Sequence, residues 1–205
     1  MKTLHFNAEN ILPEVSCTRK YLQAGRIAEN ALPMIELCHG IYLKHRDLFK
    51  PVLRYRILEI RKKDPPGLKI YFHENSYFSG KGIFRLLKDS ELAAVYVVTL
   101  GPEVDERIGL LEDEDFFEGY LLNAAAGSII ESLQAKARGI IAEEASRRQG
   151  FRLGKRFSPG YAGWDLSEQE KLLNILNGRE LGLRLTEAFL MLPMKSASGV
   201  FGFLR

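Results

Sequence analysis

The chain has little of what marks the specialised protein classes. Of its 205 residues, two are cysteines and one is a tryptophan. Cys17 and Cys38 form no Cys-x-x-Cys pair, so neither a zinc site nor a redox dithiol is indicated, and two buried free thiols are expected. No apolar run approaches the roughly 20 residues that a membrane helix needs. The opening MKTLHFNAEN has no apolar h-region of the kind a secretory signal carries. A cytoplasmic protein with no membrane partner is expected. Nor is there a strong excess of one charge: 29 Lys and Arg stand against 26 Asp and Glu, a net charge of +3. That balance gives no argument for nucleic acid and is compatible with an acidic protein partner. Repeats, low-complexity tracts and linker-like composition breaks are also missing. What is present is ordinary for a globular protein: 46% hydrophobic and 27% charged residues, enough for a core of normal size.

Periodicity sketches the elements. Pro13 to Ala24 reads as a short helix stopped by Gly25, and a second helix opens at Asn30 to Pro33 and runs to about Lys50. The β-rich run Val52 to Ile60, the turn Asp64-Pro65-Pro66-Gly67 and the run Leu68 to Phe72 suggest an antiparallel pair joined by that turn. Ser79-Gly80-Lys81-Gly82 precedes a short helix over Ile83 to Leu87. Ala93 to Leu100 is almost wholly apolar and predicts a central strand buried on both faces. Glu114 to Arg148 is the longest helical stretch, with Gly150 as its stop. Small residues Ala124, Gly127, Ser128 and Ala135 lie beside its apolar stripe, where a backbone or ligand can approach closely. A Gly- and Pro-containing loop from Gly154 to Gly163 follows. Then come a helix from Ser167 to Asn177 with a Ser167/Glu170 capping box, a β-rich stretch from Gly182 to Leu190, and a tail through Gly202. The expected fold is one α+β domain over residues 1–205, a mostly antiparallel sheet flanked by helices, one of them long.

The informative segment is Arg156-Phe157-Ser158-Pro159-Gly160-Tyr161. Arg156 offers a planar fork suited to a carboxylate. Pro159 fixes φ, Gly160 permits a positive φ or a close ligand approach, and Tyr161 supplies a flat face with a polar tip. Such a loop suits a small zwitterionic ligand bearing an aromatic group. The plainer alternative is a structural turn whose arginine pairs with a surface carboxylate.

The order Arg-x-x-Pro-Gly-Tyr, then Leu185-Thr186-Glu187, Met191, Pro193 and Ser196-Ala197-Ser198-Gly199, resembles the reductive-activation domain of cobalamin-dependent methionine synthase, here as a stand-alone protein. The strongest resemblance covers Arg156 to Gly202. It implies a domain that binds S-adenosylmethionine in a shallow groove and docks onto cobalamin held by a separately encoded methionine synthase. An electron from a flavodoxin-like donor would convert inactive cob(II)alamin to cob(I)alamin, and methylation by S-adenosylmethionine would draw that reduction forward. By the same resemblance Arg156 would grip the ligand carboxylate, and the backbone at Ser158 and Gly160 would contact the adenosyl part. Tyr161 would face the corrin or the ligand, and Glu131 would pair with the ligand amino group or else be a solvated helix carboxylate. No residue is expected to act as a covalent catalyst.

The sequence also departs from that family. Ala162-Gly163-Trp164-Asp165 replaces a Pro-Ala-Cys-Pro continuation, Gly150 stands where a second acid is expected, and a tyrosine after Ser-x-Ser-Gly is missing before the end at Arg205. These departures leave open a corrinoid-docking module without the ligand site. Service to another corrinoid methyltransferase is a further alternative.

Other constellations read more simply. Cys38 and His45 share a helix face without a third metal ligand. Gly80-Lys81-Gly82 lacks P-loop spacing. Glu112 to Asp115 complements the N-terminal dipole of the long helix. Arg147, Arg148, Arg152, Lys155 and Arg156 form a basic cluster, solvated or else attractive to an acidic electron donor.

Overall fold

The computed structural model describes residues 1–22, 31–73, 76–148 and 150–205. The expected helix boundaries at Ala24, Gly25 and Asn30 lie outside the described residues. The chain opens with β1 (Lys2–His5), α1 (Val15–Tyr21) and α2 (Ala31–His45), and a 3-10 turn, Arg46–Leu48, then leads into β2 (Val52–Glu59). Next come β3 (Lys62–Asp64), β4 (Lys69–His73), β5 (Ser76–Ser79), α3 (Lys81–Leu87) and β6 (Leu92–Thr99). Two consecutive helices follow, α4 (Glu103–Glu114) and the 31-residue α5 (Phe116–Ser146). The last part holds β7 (Arg152–Phe157), α6 (Glu168–Ile175), β8 (Arg184–Leu185), β9 (Met191–Leu192) and β10 (Ser196–Leu204).

The main sheet is antiparallel, in the order β1-β2-β6-β10-β7. The α+β class is as the sequence implied. Strand β6 sits at its centre, and Ala93 to Thr99 are buried throughout, because an unbroken apolar run can only be satisfied by cover on both sides. Period-two alternation divides its side chains between two cores. Ala94, Tyr96 and Val98 face the helical layer with Leu133, Ala137 and Ile141 of α5. Ala93, Val95 and Val97 face the opposite side, with Ile83, Leu87, Trp164 and Leu172.

Several expectations are corrected. The Asp64 to Gly67 turn does form a hairpin, but between β3 and β4, with Lys62 opposite Tyr71. The long strand β2 instead pairs with β1 and β6, because its side chains are needed in the main core. Most of the loop expected from Gly154 is strand: β7 runs to Phe157, bulged where Gly154 and Lys155 oppose Gly202. The tail is a nine-residue strand, β10, whereas Gly182 to Leu190 contributes only the two residues of β8. Ser167 makes no capping box. Its hydroxyl and amide both donate to the Asp165 carboxylate, at 2.6 and 2.9 Å, which satisfies them one turn early. Of the acidic run only Asp115 caps α5, accepting from the Glu118 amide at 3.0 Å, because Glu112 to Glu114 end α4.

Cys17 and Cys38 are both free, but only Cys38 is buried as expected; Cys17 is half-buried. The Cys38 thiol donates to the Leu121 carbonyl, and burial pushes its pKa up to about 11, which makes it inert core. His45 is bonded to Glu118 at 2.6 Å, away from that thiol's partner. No helix among the described residues is long and apolar enough to cross a membrane.

Candidate functional site

Arg156 lies in β7, opposite Phe201 of β10. The chain then leaves the sheet in a tight turn. Gly160 adopts φ +87°, a region costly for residues with a Cβ, and its amide donates to the Trp164 carbonyl at 2.8 Å. The turn is anchored from below. Trp164 is 1% exposed, stacked on Phe157 at 5.8 Å and edge-on to Phe78 at 5.1 Å. Ser158 ties the turn to β10 by donating to the Ser198 carbonyl at 2.7 Å. Trp164 thus fills the core beneath the turn and packs it against β5.

Above the turn is a groove of 590 Å³, walled by α1, α5, β7 and the β9–β10 segment. Arg156, Ser158, Tyr161 and Glu131 all line it, although Glu131 and Arg156 are 25 positions apart in the chain. Gly160 shapes the turn and is not in the lining. Tyr161 is 68% exposed at the rim.

The charges in the groove are held by specific partners. Arg156 Nη1 donates to Gln134 Oε1, a neutral amide, instead of the surface carboxylate that a plain structural turn would use. The same amide oxygen accepts from Tyr96 Oη at 3.4 Å. Burial pushes the Tyr96 phenol up to about 12, with Arg156 pulling weakly the other way, so it stays a neutral donor. Glu131, one turn before Gln134 on α5, accepts from Lys20 Nζ at 2.9 Å and from Tyr21 Oη at 3.3 Å. The hydrogen bond from Lys20 is the main cause holding its carboxyl below the ordinary range. At the far end Lys195 Nζ donates to Asn123 Oδ1 at 2.6 Å. Burial pushes the Lys195 ammonium down, with Asp105 opposing. On the floor the Gln169 amide and the Ser198 hydroxyl bond each other at 2.7 and 3.0 Å.

Sequence reasoning missed Lys20, Tyr21, Gln134, Gln169 and Lys195. The small-residue face of α5 was the available signal for the first two. The Tyr21 ring lies on Gly127, where a Cβ would come within 2.6 Å of it, and Thr18 bonds Ser128 at 3.0 Å.

A second hollow of 520 Å³ lies along β7, between α3 and Arg138 of α5. Its floor includes Leu153, Phe157 and Leu204, and Arg85, Arg138, Arg152 and Lys155 surround it. Arg138 reaches over the bulge to the Gly154 carbonyl at 3.2 Å. The basic cluster read from sequence is therefore split. Arg147 and Arg148 pair with Glu143 and Glu144 on α5, Arg156 enters the groove, and Arg152 and Lys155 join the hollow.

Residues 89–203 match the family described as vitamin B12 dependent methionine synthase, activation domain. Among solved structures, the MetH reactivation domain bound to AdoHcy is similar with a TM-score of 0.75 at 15% sequence identity. The likeness covers 98% of this chain and 77% of that one, and at such identity it is a likeness of fold. No curated protein matches the chain.

Proposed function

The chain belongs to the family of vitamin B12 dependent methionine synthase activation domains, and from that premise we propose that it binds S-adenosylmethionine in the groove and supports reductive methylation of cobalamin held by a methionine synthase. One domain over residues 1–205 is part of this reading. The observation that carries it is the convergence of Arg156, Ser158, Tyr161 and Glu131 on one groove from separate elements. The groove's 590 Å³ lies within the range of about 300–1,000 Å³ typical of small-molecule sites.

The residues present fit such a ligand. The Arg156 guanidinium is bonded to a neutral amide, so its charge is free to take a carboxylate in the geometry that arginine favours. The Ser158 backbone follows the ligand's adenosyl part on the turn that Gly160 shapes, and Glu131 offers the charge that an amino group needs. Tyr161, exposed at the rim, faces the corrin or closes on the ligand. The bound ligand supplies the methyl group. The protein binds and orients it, excludes competing positions, and contributes no covalent nucleophile.

A flavodoxin-like donor suits the second hollow. Acidic electron carriers are attracted by unpaired cations, and Arg85, Arg138, Arg152 and Lys155 stand together around an apolar floor.

Calorimetric titration with S-adenosylmethionine tests the ligand assignment, with Arg156→Ala alongside. Saturable binding that is lost in the variant is the expected result. Binding to a cobalamin-loaded methionine synthase with no ligand affinity at all would replace this reading by a corrinoid-docking module.

A further inference from the structure

Glu131 is the only carboxylate lining the groove among the described residues, and it is already engaged. Lys20 Nζ lies 2.9 Å from Oε1 and Tyr21 Oη 3.3 Å from the same oxygen. Both partners come from α1, outside the family-matched residues 89–203. Contacts that do not involve Lys20 seat α1 on α5: Thr18 Oγ1 meets Ser128 Oγ at 3.0 Å, and the Tyr21 ring covers Gly127. The Lys20 side chain is 69% exposed and the Glu131 side chain 27%. The ammonium can therefore leave for water while the helix stays in place.

S-adenosylmethionine carries an ammonium of its own; both donors already present use Oε1, so an ammonium arriving at Oε2 would share a single carboxylate charge with Lys20 beside it, and the two cations repel. We propose that Lys20 is an internal competitor for the amino-group subsite: it occupies Glu131 in the free protein, yields to the ligand, and thereby lowers the selectivity of the groove for ligands bearing an amino group. This proposal rests on the reading of the groove given above. The mutual stabilisation of the pair accords with it, since each group's charged form is favoured chiefly by its hydrogen bond to the other. Tyr21, a neutral donor, has no such conflict and remains on Glu131 beside either ammonium.

An exposed ion pair of this type handicaps a competitor by about two- to fivefold in affinity. The test is calorimetric titration of the full chain with S-adenosylmethionine and with its analogue lacking the α-amino group. Lys20→Ala is compared with wild type and with Lys44→Ala, which removes a similar bond to Glu118 elsewhere on α5. The expected result is S-adenosylmethionine binding about two- to fivefold tighter in Lys20→Ala, with the analogue unchanged and Lys44→Ala like wild type. Unchanged or weaker binding in Lys20→Ala overturns the proposal. So does an equal gain for the analogue, because that would be general charge relief and not competition for Glu131. Binding by wild type without the gain removes this inference alone. Absence of binding in every variant removes the groove reading and this inference together.

Discussion

In the groove the charged groups are tied down: Glu131 to Lys20 and Tyr21, Arg156 to Gln134, Lys195 to Asn123. In the second hollow Arg85, Arg138, Arg152 and Lys155 stand without an ion pair to a carboxylate among the described residues. Groups held in place near a low-dielectric floor recognise a ligand by exchanging one partner for another, which rewards exact geometry. Unpaired cations on the surface act at longer range, with less demand on geometry and more sensitivity to salt. Strand β7 thus contributes to a surface suited to selecting a small ligand and to one suited to attracting a large acidic partner.

The largest effect is expected where both surfaces share a support. Trp164→Ala removes the side chain beneath the turn and should cost about 3–5 kcal/mol of stability, measured by denaturant unfolding. A loss below about 1 kcal/mol would mean that the turn holds without its anchor. Next comes the groove itself. Arg156→Ala should weaken S-adenosylmethionine binding by about ten- to a hundredfold, while Arg152→Ala leaves it unchanged. Equal losses in both would erase the contrast between the two surfaces. A smaller effect is expected at the hollow. Replacing Arg152 and Lys155 by serine should slow association with a flavodoxin-type donor about three- to tenfold at low ionic strength, and the gap should close in high salt. A gap that persists in high salt would indicate direct contacts instead of steering.

The smallest effect is the pH dependence of the Glu131 pair. The folded protein holds this carboxyl below its unfolded value of about 4.3. Its contribution to stability is therefore complete above that value and is lost as pH falls through the lower, folded one. Thermal melts of wild type and Glu131→Gln should differ at neutral pH and converge below about pH 4. Convergence on the alkaline side only would point to Lys20 as the group that matters.

Sequence legibility followed the same physical lines. Strand β6 was readable because an eight-residue apolar run has few other solutions. Strand β10 was not, because Ser196, Ser198, Gly199 and Gly202 look like a polar, flexible tail, although Ser198 to Phe203 are buried. Strand β7 carries a glycine, three cations and a bulge, which hide its period. In the site, Arg156, Ser158 and Tyr161 were marked by one short segment and by resemblance. Gln134 and Gln169 belong to no motif, since a neutral amide declares its role only through what it touches. Lys20 and Tyr21 meet Glu131 across about 110 positions of sequence, a separation that no local pattern bridges.

The family match begins at residue 89, just ahead of β6, and β2 lies before that point. A fragment trimmed to the matched residues would turn the innermost strand into a bare margin, with the backbone groups of Ala93 to Thr99 open along a flat apolar ribbon. Such a ribbon invites another copy of itself to replace β2, so the trimmed product would be recovered as aggregate and not as a smaller binder. For anyone preparing this protein in the laboratory, the practical cutting point is set by the partner of β6 and not by where family likeness starts.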